Sequence, residues 1–159
     1  MNLKLNPHYL VGLVDGEGCF SITFNNHKNS RLVEVRLLFE IELREDDKEI
    51  LKRVKETLQC GNIYHLTYER YKKWKPHYKY KVSNIKDISE KIIPFFRKYP
   101  LQAKKKYDFE LFSKVAELIN KKHHLTMEGV EQIRKLKEDS MKDSLDAGNP
   151  HVQWGGTGF

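Results

Sequence analysis

Two carboxylates, Asp15 and Glu17, stand at the end of a predicted helix, where negative charge is unfavourable. Asn6 and Pro7 predict the start of this helix, because Asn caps a helix and Pro suits the first helical position. The other end of the helix carries free carbonyl oxygens and partial negative charge. A divalent cation binds carboxylate and carbonyl oxygens, so it would neutralise the carboxylate charges and satisfy the free carbonyl oxygens. The pattern indicates a metal site. The alternative is a solvent-exposed turn in which the unfavourable charges are hydrated.

The same helix carries two glycines, Gly12 and Gly16, which lie four residues apart and therefore on one face. Each glycine costs about 1 kcal/mol relative to alanine inside a helix. A pair of them one turn apart indicates that another backbone approaches this face closely.

Residues 10–18 read LVGLVDGEG and resemble the motif of the LAGLIDADG homing endonucleases. Gly and Glu are ordinary variants in that family at the positions of Gly16 and Glu17, and a small residue of the motif is replaced by Val11. A weaker pattern of strands and helices extends the resemblance over residues 6–142. The resemblance implies that the helix packs against a second copy of itself. The implied dimer interface consists of Leu10, Gly12, Leu13 and Gly16.

The resemblance also implies the parts of a nuclease site. Glu17 matches the acidic residue that holds a catalytic metal ion, the Gly16 carbonyl matches a further ligand, and the aspartate matched by Asp15 is more often structural. A catalytic lysine near the scissile phosphate is matched best by Lys105 and next by Lys104, although either is equally a solvated lysine at a helix start. The implied cofactor is Mg²⁺, with Mn²⁺ as a substitute and Ca²⁺ supporting binding without cleavage.

After Gly18 the hydrophobic period changes from helical to alternating, which predicts two strands with one apolar and one polar face each. Such polar side chains can read base edges in a major groove, whereas alternation alone predicts a solvated sheet face equally well. By matching strand positions, the resemblance implies DNA contacts by Cys19, Ser21, Thr23, Asn25, Glu34, Arg36, Leu38, Glu40, Tyr64, Lys79 and Lys81.

The loop 67–77 between two later strands is rich in basic and aromatic residues. It could bind phosphates, or it could be a solvated loop like most charge runs. Its candidate contacts are Tyr68, Arg70, Tyr71, Lys72, Lys73, Trp74 and Lys75.

Taken together, the periods predict helix, two strands, helix, two strands and further helices, an α+β fold. This order agrees with the αββαββα core of the resembled family, in which a saddle-like antiparallel sheet binds DNA. Asp46 and Glu49 are predicted to cap the second helix and Gly61 to end it, and Pro94 is predicted to kink or break a later helix. The next helix has a predicted apolar stripe of Tyr107, Leu111, Val115 and Leu118, and Thr126 is predicted to cap the last helix.

The composition is that of a single globular domain with a polyanionic partner. The 159 residues carry a net charge of +7. Two cysteines form no zinc pattern, and His123-His124 lies in no metal-binding context, so surface or capping roles are expected for these histidines. No apolar run of membrane-spanning length and no secretion signal appears. We expect one domain over residues 1–145 and an irregular tail over 146–159.

One position departs from the family. Some single-motif relatives have a water-positioning polar side chain at the end of the second strand, and the position matched here is Leu43. Leucine cannot position water, so neighbouring Glu42 or Arg44, or ordered water, is expected to take its place.

The predicted function is that of a homodimeric, Mg²⁺-dependent, intron-encoded endonuclease that cleaves double-stranded DNA at a long pseudo-palindromic site. The alternatives are an RNA-binding intron maturase or a non-cleaving DNA-binding protein on the same scaffold, and, more remotely, a basic RNA- or ribosome-associated domain. The expected location is the bacterial cytoplasm or an organelle matrix, with no membrane partner.

Overall fold

The computed structural model describes residues 3–67 and 75–147, with the backbone alone for residues 144–147. Within these ranges the first helix, α1, spans Pro7–Glu17. The side chain of Asn6 accepts a hydrogen bond of 2.9 Å from the His8 N–H, and Pro7 occupies the first helical position. The predicted start of α1 is therefore confirmed.

The remaining elements follow in the predicted order. The strands are β1 (Gly18–Asn26), β2 (Val33–Arg44), β3 (Asn62–Leu66) and β4 (His77–Val82). The helices are α2 (Lys48–Leu58), α3 (Ile85–Asp87), α4 (Ile93–Lys98), α5 (Lys105–Asn120) and α6 (Met127–Ala147). A π-helical turn, Ile88–Ile92, joins α3 to α4, and short 3₁₀ turns lie before α2 and α6.

The four strands form one antiparallel sheet in the order β1-β2-β4-β3. Its inner face is apolar and packs on the helices, as the alternating pattern predicts. Phe20 lies opposite Phe39, and their rings stack with centroids 4.8 Å apart. Phe96, Phe109 and Phe112 meet Phe20 edge-on from α4 and α5. This aromatic cluster fixes the sheet against the helices, so its other face is left for solvent or a ligand.

Several local predictions need correction. Asp46 and Glu49 do not cap α2, because Asp46 pairs with Arg44 at 3.0 Å and Glu49 pairs with Lys52 at 2.6 Å. Gly61 is not the residue that ends α2 either. The helix stops at Leu58, its C-cap Gln59 adopts a left-handed conformation with φ 57°, and Gly61 follows with φ 80°.

Pro94 is the second residue of α4 and lies within a continuous helical segment of residues 85–98, so it does not break the helix as predicted. The preceding π-helical turn widens the hydrogen-bonding pattern, so the missing proline N–H leaves the helical stack continuous. Asn84 caps this region by accepting hydrogen bonds from the Lys86 and Asp87 N–H groups.

The predicted apolar stripe of α5 is confirmed for Val115, which is buried, and for Leu111 and Leu118, which pack against the core. It is wrong for Tyr107, which is 61% exposed, and it omits the buried Phe109 and Phe112. Thr126 does cap α6, since its hydroxyl accepts a hydrogen bond of 3.0 Å from the Gly129 N–H. Helix α6 continues through Ala147, past the predicted start of the tail at residue 146, and residues 148–159 lie outside the described ranges.

Candidate active site and nucleic-acid interface

Glu17 is the last residue of α1, and the chain passes from it directly into β1 at Gly18. The Gly18 N–H still donates to the Val14 carbonyl, and a Cβ at Gly18 would stand 2.7 Å from the Val14 side chain. Glycine therefore permits the abrupt change from helix to strand. This junction places Glu17 at the rim of the outer sheet face, where the residue is exposed.

The donor set at the end of α1 fits a divalent cation in part. Glu17 supplies a carboxylate and Gly16 a backbone carbonyl, both hard oxygen donors, and both residues are exposed. Within residues 3–67 and 75–147, the Glu17 carboxylate has no hydrogen-bond or ion-pair partner of its own. In the same ranges no three His, Cys, Asp or Glu side chains converge as a ligand cluster. One chain thus offers a partial coordination shell.

The two candidate lysines differ in their surroundings. Lys105 is the first residue of α5, is half-buried, and lies close enough to Cys19 to act on the pKa of its thiol. Burial raises the pKa of Cys19 and Glu40 adds to this effect, while Lys105 opposes it. Lys104 is exposed and borders an open groove between α5 and α6. Of the two lysines, Lys105 thus acts electrostatically on the first residues of β1, two positions beyond Glu17.

The Asp15 carboxylate is bound by backbone groups of a distant segment. Its carboxylate accepts hydrogen bonds from the backbone N–H groups of Gln102, at 2.9 Å, and Ala103, at 3.2 Å. This is a structural role, and it connects the end of α1 with the segment that precedes α5.

The outer sheet face carries every side chain that the resemblance assigns to DNA contact. The antiparallel register puts Cys19 opposite Glu40, which in turn lies opposite Lys81, and Tyr64 lies opposite Lys79. All of these side chains are exposed or half-buried: Cys19, Ser21, Thr23, Asn25, Glu34, Arg36, Leu38, Glu40, Tyr64, Lys79 and Lys81.

Several charged groups of this face are paired with one another. Glu34 accepts a hydrogen bond of 2.8 Å from Arg36 Nε and lies 3.1 Å from His27 Nε2. The Arg36 hydrogen bond is the main cause of a lowered pKa of Glu34. Lys79 Nζ lies 3.6 Å from the Glu40 carboxylate and 3.5 Å from the Glu42 carboxylate. The face thus presents preorganised donors and acceptors in alternation, which suits base edges better than a uniformly positive surface does.

Two further residues lie on this face, Asn62 and His77, to which the sequence analysis assigned no contact with DNA bases. The register places Asn62 opposite Lys81 and His77 opposite Arg44 on the outer side. His77 also lies 3.1 Å from the Glu42 carboxylate. Asn62 is two residues from Tyr64 and His77 is two residues from Lys79. Since side chains two residues apart in a strand share a face, this spacing predicts that Asn62 and His77 lie on the outer face.

Leu43 lies on the core side of the sheet, opposite Tyr78, and packs against the core. Its side chain therefore lies on the opposite face of the sheet from the side chains assigned to DNA contact. Of the two neighbours considered as substitutes, Glu42 shares the outer face and contacts Lys79, and Arg44 pairs with Asp46. The loop residues 68–74, which include the basic and aromatic candidates up to Trp74, lie outside the described ranges.

One face of α1 is open in this chain. A Cβ at Gly12 or Gly16 would meet nothing within 4 Å, so nothing in the described fold requires these glycines. Leu13 is half-buried beside them. Leu10, the fourth residue of the expected dimer interface, is 0% exposed within the chain's own core.

The chain matches a protein family model over most of its length. The family model described as LAGLIDADG endonuclease matches residues 10–116, which begin within α1 and end within α5. The chain belongs to the LAGLIDADG endonuclease family. This match includes most of the motif helix, the complete sheet and the start of α5 with Lys105.

Named relatives of this LAGLIDADG chain agree with the match. A "Probable intron-encoded endonuclease 3" of Neurospora crassa is 34% identical over 136 residues, which are 85% of this chain and 24% of the relative. The crystal structure of the meganuclease I-SmaMI bound to uncleaveable DNA superposes with a TM-score of 0.75 at 32% identity, over 84% of this chain and 44% of that one.

A third similar protein is the homing endonuclease I-TnaI. Its crystal structure superposes with a TM-score of 0.74 at 27% identity, over 84% of this chain and 86% of that one. The LAGLIDADG chain described here thus spans about a quarter of the Neurospora relative, less than half of I-SmaMI and most of I-TnaI. In the described ranges, no helix is long and apolar enough to cross a membrane.

Proposed function

We propose that this chain is a site-specific endonuclease that hydrolyses phosphodiester bonds in both strands of a long, pseudo-palindromic DNA target. The observation that carries the proposal is the junction at Glu17 and Gly18. It joins a carboxylate at the end of the motif helix to a sheet face lined with paired polar groups.

The dimensions of the sheet suit binding along a DNA groove. Strand β1 has 9 residues. At about 3.3 Å per residue it spans about 30 Å, which corresponds to roughly nine base pairs along the groove. Two such sheets related by two-fold symmetry would cover a target of about twice that length.

The proposed cofactor is Mg²⁺, for which Mn²⁺ substitutes and Ca²⁺ supports binding only. When bound, such an ion polarises the phosphate and stabilises the attacking and leaving oxygens. Glu17 and the Gly16 carbonyl would hold it, and Lys105 would stabilise charge on the scissile phosphate. The Glu17 carboxylate has no competing partner within the described ranges, which leaves it available as a ligand. I-SmaMI has been solved with an uncleaved DNA target in the presence of calcium ions.

The proposed active assembly is a homodimer built on the open face of α1. Gly12, Leu13 and Gly16 would form its centre, because the two glycines leave room for a second helix to approach at backbone distance. The two Glu17 carboxylates would then lie near the two-fold axis, one for each DNA strand. Because one chain supplies a partial shell, the remaining ligands would come from the second chain, the DNA phosphates and water.

The maturase and non-cleaving alternatives are not favoured, because the named relatives are endonucleases. The proposed location is an organelle, since the Neurospora crassa relative is an intron-encoded protein of a eukaryote.

The deciding experiment substitutes Glu17→Gln, which keeps the size of the side chain and removes its charge. The target is first obtained by cleavage selection from a randomised DNA library in Mg²⁺ with the wild-type chain. The variant should then cleave both strands at least about 100-fold more slowly in Mg²⁺ while binding the same DNA normally in Ca²⁺.

The matched control is Glu56→Gln, an exposed carboxylate on α2, which should cleave at the wild-type rate. Near-normal cleavage by Glu17→Gln would remove Glu17 from the site. A wild-type chain that selects no DNA at all would end the nuclease proposal itself.

A further inference from the structure

The end of α1 and the start of α5 are joined by one carboxylate. Asp15 lies in the last turn of α1, and its two oxygens accept hydrogen bonds from the N–H groups of Gln102 and Ala103. The hydrogen-bonded residues are 87 and 88 positions apart in the sequence. These bonds tie the motif helix to the segment that leads into α5.

The electrostatics explain why a carboxylate is tolerated there. At the end of α1 alone, the charge of Asp15 would be repelled by the partial negative charge of that terminus. The start of α5 supplies the opposite partial charge, and the N–H groups that Asp15 binds belong to the two residues just before the N-cap of this helix. The residue at the N-cap of α5, Lys104, forms no side-chain cap. The acceptor for this region therefore comes from the helix that carries Glu17.

The two residues whose N–H groups bind Asp15, Gln102 and Ala103, lead directly into the helical turn that carries Lys105. The Ala103 carbonyl accepts a hydrogen bond of 3.0 Å from the Lys106 N–H, and the Lys104 carbonyl accepts one of 3.0 Å from Tyr107. Lys105 lies between these two bonds, and its charge acts on the thiol of Cys19, which is two residues beyond Glu17 in the chain. A shift of residues 102–103 would therefore move Lys105 relative to Glu17.

We propose that Asp15 is a positioning residue, which fixes the Lys105 ammonium at the phosphate that Glu17 and its cation would engage. This inference rests on the proposed nuclease function. It gives the two acidic residues of the motif different roles. Glu17 faces the reacting phosphate, whereas Asp15 fixes the position of Lys105 through its hydrogen bonds to Gln102 and Ala103.

The experiment is a double-mutant cycle on the cleavage rate of bound target DNA in Mg²⁺. Asp15→Ala should lower kcat by about 10- to 100-fold, the loss expected for a catalytic group displaced by about 1 Å. Its DNA affinity in Ca²⁺ should stay within about threefold of wild type. Asp15→Asn keeps one acceptor oxygen and should fall between Asp15→Ala and wild type.

The cycle distinguishes positioning from general structural damage. If Asp15 acts through Lys105, Asp15→Ala combined with Lys105→Ala should cleave within about threefold of Lys105→Ala alone. Combined with Lys104→Ala, as the matched control, the two losses should multiply. Multiplied losses in the Lys105→Ala background, or a normal rate for Lys105→Ala itself, would overturn the proposal.

A second measurement does not depend on cleavage. Amide hydrogen exchange at Gln102 and Ala103 should become at least about tenfold faster in Asp15→Ala, with the exchange of β2 unchanged. Unchanged exchange at these two amides would also overturn the proposal, even in a chain that cleaves no DNA. Failure of the wild-type chain to cleave would instead count against the nuclease function, so the two failures are distinguishable. If Asp15→Ala does not fold, Asp15→Asn carries both measurements.

Discussion

Arg36 and Glu34 form a hydrogen-bonded pair along one strand, with Nε of the guanidinium 2.8 Å from the carboxylate. Both project from the outer face of β2, where they are two residues apart. Because Glu34 engages Nε, the other guanidinium nitrogens of Arg36 are left to face a ligand above the sheet. The pair thus holds the guanidinium of Arg36 on the outer face, an arrangement that suits the proposed recognition of a guanine edge.

The first prediction concerns the titration of Glu34. The hydrogen bond from Arg36 lowers the pKa of Glu34 from its usual 4.5. The ionised form is therefore favoured by the fold. Its contribution to stability is present above pH 4.5 and is lost as the pH falls through the lowered value. Arg36→Gln should move the pKa of Glu34 back toward its usual value, as measured by NMR titration of the side-chain carboxyl carbon.

The matched control for this titration is Arg44→Gln, because Arg44 pairs with Asp46. It should leave the pKa of Glu34 unchanged. His27→Gln should produce a smaller rise than Arg36→Gln, since His27 is the lesser cause of the shift. An unchanged pKa of Glu34 in Arg36→Gln would mean that the pair does not persist in solution.

The second prediction concerns sequence recognition. Arg36→Ala should weaken binding to the selected target by about 1–3 kcal/mol and relax the preference at one base-pair position in each half-site. The measurement is competitive binding in Ca²⁺ against a panel of single-base target variants. Lys52→Ala, which removes an exposed cation on α2, should leave the preferences unchanged. A loss that is equal for all DNA sequences would identify Arg36 as a phosphate contact.

The third prediction concerns assembly. Gly12→Leu should prevent dimer formation by wedging the two motif helices apart, and sedimentation should show a monomer. In the isolated chain a Cβ at Gly12 meets open space. Gly12→Ala should therefore stabilise the monomer against unfolding by about 0.5–1 kcal/mol. Wild-type complexes that contain a single chain on a fully cleaved target would contradict the dimer.

The fourth prediction concerns the turn before β3. Gly61 has φ +80°, and a Cβ there would stand 2.7 Å from the Tyr80 ring and 2.9 Å from the Lys81 carbonyl. Gly61→Ala should therefore reduce the free energy of unfolding by about 1–3 kcal/mol, measured by denaturant titration. The neighbouring control is Gln59→Gly, which relieves a left-handed non-glycine residue and should be neutral or stabilising. Equal stability of Gly61→Ala and wild type would show that this turn can rearrange freely.

Local patterns of the sequence determined much of this protein. The cap at Asn6 and the alternation after Gly18 are encoded by residues that are close together in the chain, so the start of α1 and the two faces of β1 and β2 could be predicted. The motif residues are also contiguous, so the family could be recognised without knowledge of any tertiary contact.

The tertiary structure decided which side chains from distant parts of the sequence come together. The sequence favoured Lys105 over Lys104, but it is the packing of α5 against β1 that lets the charge of Lys105 act on the Cys19 thiol. The direction of Leu10 into the core depends on the packing of α1 against the sheet. Asp15 finds its hydrogen-bond donors 87 and 88 residues away. Hydrophobic period and capping preference are set by neighbours along the chain, whereas contacts across such separations exist only after the helices have packed on the sheet.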